Sequence, residues 1–535
     1  MSDRTFATHQ IRRAVPVPTL WDFAALDTTA PVPARLPVPS AWELVPALHN
    51  YRGRAHYTTR IRCGGNIRLS FGGVSFRARV LLDGNEIARH YGAFTAFETV
   101  VRRLPEGEHT LTVEVDNRFG EDSALHVPND YYSYGGITRP VVIEQLPDVF
   151  VESVGITTKR AADGWTADIS AAIRNLADED ASADVTLTLA GQTFTQTAHI
   201  PADSTAIIRI PDAHYADVTA WTPDTPALYA LRAEIREGNQ VLDDLIDRVG
   251  FREISISGMD LLLNGEKLRL MGFNRHEEYG AFGCAVPLQA MAQDILMMKD
   301  MGCNCVRTCH YPDQSLWYDL CDRNGIYMID ETNLESHGSW QKLGAVEPSW
   351  NVPGSLPEWK DCVVDRARSM FERDKNHAAV LIWSCGNESY AGEDILAMSQ
   401  FFHDHDPGRL VHYEGVFHCR AFDAISDMES RMYAKPWEIR EYLESHPKKP
   451  FILCEYMHDM GNSLGGMESY VKLADEFDQY QGGFIWDYMD QALRHTDALG
   501  RSVLGYGGDF ADRNTDYNFS GNGIVYADGA EKPAM

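Results

Sequence analysis

Two stretches of this chain end an apolar run on a carboxylate. "FILCEYMHDMGNSLGG" (451–466) reads as a buried strand that reaches Glu455, and "AAVLIWSCGNESY" (378–390) reaches Asn387 and Glu388. One glutamate so placed is as readily an ion-pair partner or a charge at a helix N-terminus. Two of them, amid histidines, amides and aromatics, suit hydrolysis of a glycosidic bond. One carboxylic acid gives its proton to the leaving oxygen, and the other, ionised, attacks the anomeric carbon. Sugar hydroxyls call for amide and imidazole partners. The sugar's C–H face calls for an aromatic platform, which Trp486 and Tyr456 can supply.

Such residues need a frame that carries them to one place. From about residue 256, strand-like apolar runs alternate with helical patterns: "LRLMGF", "NCVRTC", "IYMIDE", "AVLIWS", "LVHYE", "AISDM", "FILCE" and "GGFIW". Continuous apolar strands with intervening helices predict a (β/α)8 TIM barrel, with its chemistry at the C-terminal strand ends. Those ends carry Asn274, Arg275, His276 and Glu277; Arg307 and His310; Asp330, Glu331 and Asn333; Asn387 and Glu388; Glu455 and His458; Trp486 and Asp487. A doubly wound sheet is the other α/β solution, but no Gly-rich phosphate turn follows the first strand. Upstream, residues 1–147 alternate in short β-like segments, with Asp83-Gly84 placed as a hairpin turn. Residues 148–254 read as a second, smaller β-sandwich. The prediction is a multidomain β plus α/β protein divided as 1–147, 148–254 and 255–535.

Composition narrows the partners. The 535 residues carry a net charge of -29, spread along the chain with no basic stripe, which argues against nucleic acid. No run approaches the roughly 18 apolar residues of a membrane span, and "MSDRTFATHQIRR" lacks a signal-peptide core, so a cytoplasmic location is expected. Nine of the ten cysteines fall after residue 280, in apolar surroundings, and read as reduced core thiols. Cys303 and Cys305 share a strand face, but their spacing to His310 matches no common zinc site.

The motifs "MGFNRHEEYG", "VRTCHYPDQSLWYDLCDRNGIYMIDETNLESHG", "IWSCGNES", "ILCEYMHDMGNSLGG", "QGGFIWDYMDQAL" and "GYGGDFADRNTDYNFSGNGIVYADG" cover most of residues 260–530. In this order they resemble glycoside hydrolase family 2, and most closely its bacterial β-galactosidases. "VPSAWE" and "NDYYSYGGITRPVVIE" are similar to that family's sugar-binding jelly roll, and Asp247–Glu253 to the entry from its immunoglobulin-like domain into the barrel.

The resemblance implies a retaining exo-enzyme acting on β-galactosides, with carboxyls about 5 Å apart. Glu388 matches the acid/base, with a raised pKa, and Glu455 the nucleophile, kept ionised by Tyr433 and by Arg275 or Arg307. Asn387 matches the partner of the sugar 2-hydroxyl, and His276, His310 and His458 match pocket histidines. Tyr433 matches the tyrosine on the nucleophile, Trp486 the pocket floor, and Asp130 a jelly-roll aspartate reaching the site. Glu335, His337 and Glu388 occupy magnesium-ligand positions, and a sodium ion is implied near Asp130. Family members are often homo-oligomers.

Two departures bear on specificity and completeness. "ALHNYRGRAHYTTRI" and "YYSYGGITRP" are more like the β-glucuronidase branch, yet no Asn-x-Lys-Gly motif follows the eighth strand. A β-glucuronidase or β-galacturonidase is therefore the alternative within the family. The sequence stops at "EKPAM", where the family's last barrel helix would begin. Bare outer faces on the first and last strands are expected from this, and a non-catalytic sugar-binding remnant is the reading from outside the enzymes.

Overall fold

The computed structural model describes residues 3–120, 123, 131–337, 352–510, 517–533 and 535. Apolar alternation in the first region builds an antiparallel sheet around two long strands, Arg54–Phe71 and Phe97–Asp116. Trp21, Tyr57, Leu69, Phe71, Val80 and Val113 fill its core. Asp83 and Gly84 both take positive φ, 50° and 80°, and close the hairpin between Arg77–Leu82 and Asn85–Tyr91.

A three-stranded and a four-stranded antiparallel sheet follow, over residues 149–249. They close on Trp165, Ile169, Val185, Leu187, Leu231 and Phe251. The sandwich grips the barrel through Arg252, which donates to the carbonyls of Ala378 and Val380 at 3.2 and 3.1 Å.

The third region is the barrel. Its parallel strands are β1 (Leu270–Arg275), β2 (Cys305–Thr308), β3 (Tyr327–Glu331), β4 (Val380–Ser384), β5 (Leu410–His412), β6 (Glu429–Met432), β7 (Phe451–Tyr456) and β8 (Tyr480–Ile485). The intervening helices are α1 (Leu288–Asp300), α2 (Ser315–Asn324), α3 (Pro357–Asp374), α4 (Glu393–His405), α5 (Pro436–Glu444) and α6 (Glu468–Glu476). On α1, Met291, Ile295 and Met298 recur at helical spacing and are buried against the sheet. At the end of α2, Gly325 (φ 68°) donates its N–H to the Cys321 carbonyl; a Cβ there would meet the Pro223 backbone at 2.3 Å, so only glycine fits.

The sheet order is β5-β4-β3-β2-β1-β8-β7-β6, which leaves one gap, between β5 and β6. Two 3-10 turns, Glu414–Phe417 and Arg420–Ile425, occupy that crossover instead of an α-helix. The sixth strand accordingly lies beyond the run "AISDM". Asp427 is drawn into a turn by the Val411 N–H, which donates to its carboxylate at 2.7 Å. β8 pairs with β1 from Leu270↔Gly482 to Phe273↔Ile485. Tyr488, Met489, Ile524 and Val525 join the barrel core, while Met271 on β1 stays 58% exposed. All ten cysteines are free, and Cys303 and Cys305 are buried in the barrel core.

Candidate active site at the barrel rim

Strand alternation sorts the rim residues into two sets. Asn274, Arg307, Glu331 and Glu455 turn inward to one another. Arg275 turns to the helix layer, pairing with Asp294 and Asp313 and lying over Trp317. Asp330 likewise takes the Tyr318 hydroxyl of α2 at 2.6 Å. Tyr456, expected as a sugar platform, packs outward on Tyr470 of α6. Its neighbour Glu455 takes the inward position.

Arg307, fully buried, is the hub. Its Nε donates to Glu331 at 2.7 Å, and Nη1 donates to Asn274 at 2.9 Å and to Glu455 at 2.8 Å. Nη2 donates to Glu331 at 3.0 Å and to the Asn387 carbonyl oxygen at 2.7 Å. The other Glu455 oxygen accepts from the Tyr433 hydroxyl at 2.9 Å, and Tyr433 N–H donates to the Glu455 carbonyl at 2.8 Å. Burial pushes the Glu455 carboxyl up, and Glu388 adds to the rise; Arg307 and Tyr433 pull it back. This differs from the expectation of a carboxylate kept ionised. A nearly dry site opposes ionisation even with two donors in place. Of the two arginines proposed as its partner, Arg307 alone touches it.

The second carboxylate is held differently. Gly386 (φ 125°) lets the chain pass Leu334, whose carbonyl a Cβ would meet at 2.7 Å. Glu388 follows at φ 36°, a left-handed conformation that costs a non-glycine residue roughly 1–3 kcal/mol. Its N–H donates to the Glu414 carboxylate at 2.8 Å. Burial pushes Glu414 up to about 8, against the pull of Arg307. Asn387 donates to Glu335 at 2.7 Å and lies 3.2 Å from His310 Nε2. His337 Nδ1 contacts a Glu388 oxygen. Ligand atoms of Glu335, His337 and Glu388 all lie within 4.8 Å of one another. Two carboxylates and an imidazole fit a hard divalent cation that keeps waters at its other positions.

Trp486, expected as the floor of a sugar pocket, is buried among imidazoles. Trp486 stacks on His310 at 5.1 Å and meets His276 edge-on at 5.5 Å. Burial holds both imidazoles well below their usual range. His458, half-buried, sits beside Tyr433 and Phe519, at 6.0 and 5.4 Å between ring centres. Asp130 lies outside the described residues. Its neighbour Tyr131 comes from the first region to lie 5.0 Å from His276. That region is fixed there by Arg139, which pairs with buried Glu277 at 2.9 Å, and by Phe94, stacked on Tyr311 at 3.6 Å.

Tyr131, Arg139 and Glu414 went unnoticed in sequence. Arg139 and Tyr131 stood inside the quoted "NDYYSYGGITRP". Glu414 repeated the pattern of an apolar run ending on a carboxylate, at "LVHYE".

Residues 254–535 match a family model described as glycosyl hydrolases family 2, TIM barrel domain, and residues 149–252 match the model glycosyl hydrolases family 2. A β-galactosidase of Clostridium acetobutylicum is 46% identical over 470 residues, covering 87% of this chain and 52% of that protein. A β-galactosidase large subunit of Latilactobacillus sakei is 43% identical over 500 residues, covering 92% of this chain and 76% of that one. The chain thus spans about half the length of the first relative and three quarters of the second. Among solved structures, a family 2 β-galacturonidase from Eisenbergiella tayi bound to galacturonate superposes with a TM-score of 0.84 at 30% identity, covering 100% of this chain and 97% of that one.

Proposed function

The chain belongs to glycosyl hydrolases family 2, and from that premise we propose that it is a retaining exo-β-galactosidase acting on terminal β-D-galactose, as in lactose. The observation that carries the reading is Glu455, both of whose oxygens are fixed by Arg307 and Tyr433, on the same rim as Glu388. Relatives named β-galactosidase at 43–46% identity support the sugar.

In the first step a Glu455 oxygen bonds to the anomeric carbon as the bond to the aglycone oxygen breaks. Glu388 gives its proton to that leaving oxygen. In the second, Glu388 takes a proton from water, the water oxygen bonds to the anomeric carbon, and Glu455 leaves as a carboxylate. Asn387 holds the 2-hydroxyl, and His276, His310 and His458 take further hydroxyls. Trp486 carries the sugar's apolar face, and Tyr433 and Arg307 keep Glu455 aimed. The resemblance assigns Asp130 a substrate-binding role, and a sodium ion would accompany it.

Glu335, His337 and Glu388 would hold magnesium, whose charge would tune that of the acid/base. The division at residues 147 and 254, a homo-oligomeric assembly and a cytoplasmic setting complete the proposal. The relatives named large subunit support assembly. Free cysteines support the compartment, and among the described residues no helix is long and apolar enough to cross a membrane.

The second reading, β-galacturonidase, is favoured by the likeness to the Eisenbergiella tayi enzyme over the full chain. Nitrophenyl β-galactoside, β-galacturonide and β-glucuronide, offered with magnesium and with a Glu455→Gln control, separate the readings. Galactoside release lost in the control is the expected result. No release of any glycon from a chain that melts cooperatively would overturn the proposal and leave the sugar-binding remnant.

A further inference from the structure

The barrel rim contains a second set of metal-ligating atoms, unlike the first. His276, at the end of β1, and Cys309 and His310, just past β2, bring one ligand atom each to within 4.8 Å of one another. All three are buried. His276 Nε2 makes no hydrogen bond among the described residues, although the side chain is only 3% exposed. Its other nitrogen lies 3.2 Å from the Tyr311 hydroxyl. His310 Nδ1 lies 2.9 Å from Glu331, which fixes the ring; Nε2, 3.2 Å from the Asn387 amide nitrogen, would exchange that contact for the ion. These are the outer partners that orient imidazoles in metal sites. Glu455 Oε1 lies 3.9 Å from His310 Nε2, and Glu331 and Glu455 offset the Arg307 charge nearby.

We propose that His276, Cys309 and His310 form a binding site for a soft or borderline divalent cation such as Zn2+, placed so that the ion and the sugar exclude each other. Two imidazoles and a thiolate are the donors such ions select, whereas magnesium selects the oxygen-rich Glu335 set. On binding, the Cys309 S–H proton passes to solvent, sulfur and both nitrogens donate to the ion, and water or Glu455 completes four-coordination. The exclusion of sugar rests on the galactosidase reading; the binding of the ion does not.

Cobalt is the probe, because a Co2+–thiolate bond absorbs in the near ultraviolet. The whole chain, saturated with Mg2+, is titrated with Co2+. One equivalent should produce the charge-transfer band, and Zn2+ should displace it. Cys309→Ser should lose the band and Cys303→Ser, outside the cluster, should keep it. Zn2+ should inhibit galactoside hydrolysis competitively, with the inhibitory concentration raised about 10-fold or more in Cys309→Ser. Absence of the band in the unaltered chain, or its survival in a folded Cys309→Ser, overturns the site. A band that galactose cannot displace, in a chain that hydrolyses galactosides, overturns the exclusion. A chain with the band but no hydrolysis retains the metal site and fails the galactosidase reading instead.

Discussion

The ends of β7 and β4 each present a glutamate, but they hold it in opposite ways. Glu455 sits within its strand, takes a hydrogen bond on each oxygen and is 3% exposed. Glu388 sits past its strand on a left-handed backbone, is half-buried, and is steadied through its N–H by Glu414 and at one oxygen by the His337 imidazole. On the proposed roles, the contrast teaches a division of labour. A nucleophile must meet one carbon along one line, so its oxygens are fixed. An acid/base must give up and regain a proton, so it is held by a titratable imidazole rather than by two fixed donors.

Removing each group tests that division. Glu455→Gln is expected to lower kcat for nitrophenyl galactoside by at least about 10⁴-fold. Equal residual rates in Glu455→Gln and Glu388→Gln would remove the distinction. Glu388→Gln is expected to cost about 10²- to 10⁴-fold on lactose and far less on nitrophenyl galactoside, whose leaving group needs little protonation. Loss of equal size on both substrates would mean that Glu388 is not the acid. Tyr433→Phe removes one of the two donors to Glu455, and should cost roughly 10- to 100-fold in kcat/KM while leaving the fold's melting curve nearly unmoved.

The pH profile sharpens the same contrast. Burial raises Glu455 in the free protein, and the protonated form cannot attack, so kcat/KM should fall as pH drops through a value above the ordinary carboxylate range. Tyr433→Phe should move that limb further up. A limb near the ordinary glutamate value would show that Arg307 overcomes burial. Chelation has the smallest expected effect. It should reduce the rate several-fold, mainly for substrates that depend on Glu388, and Mg2+ should restore it; Glu335→Gln should need more Mg2+ for the same recovery.

How much of this was legible follows from periodicity. The barrel could be read because its strands are continuously apolar and its helices repeat every three to four residues. The two glutamates could be read because a charge ends each run. What the pattern left open was parity. Asn274 and Arg275, Asp330 and Glu331, and Glu455 and Tyr456 are adjacent pairs in which one member faces the pocket and the other the helices. A one-residue choice decides which. The sixth strand was misplaced because Ile425 and Met428, apolar and buried, sit in turns at the gap between β5 and β6 rather than on a strand. Tyr131 and Arg139 were beyond reach for another reason: their contacts with His276 and Glu277 join regions more than a hundred residues apart.

Arg307 carries a consequence for how the molecule comes together. Its partners lie 24, 33, 80 and 148 residues away along the chain, on β3, β1, beyond β4 and on β7. Contacts that span such separations pay their loop-closure entropy before they return any energy. During refolding, helix content and the two sandwiches can recover from local pairings, but the carboxylate of Glu455 has no fixed direction until strands from both halves of the barrel have met on this one guanidinium. Regain of activity is thus a clock for the last event of folding, and should trail the regain of helical signal.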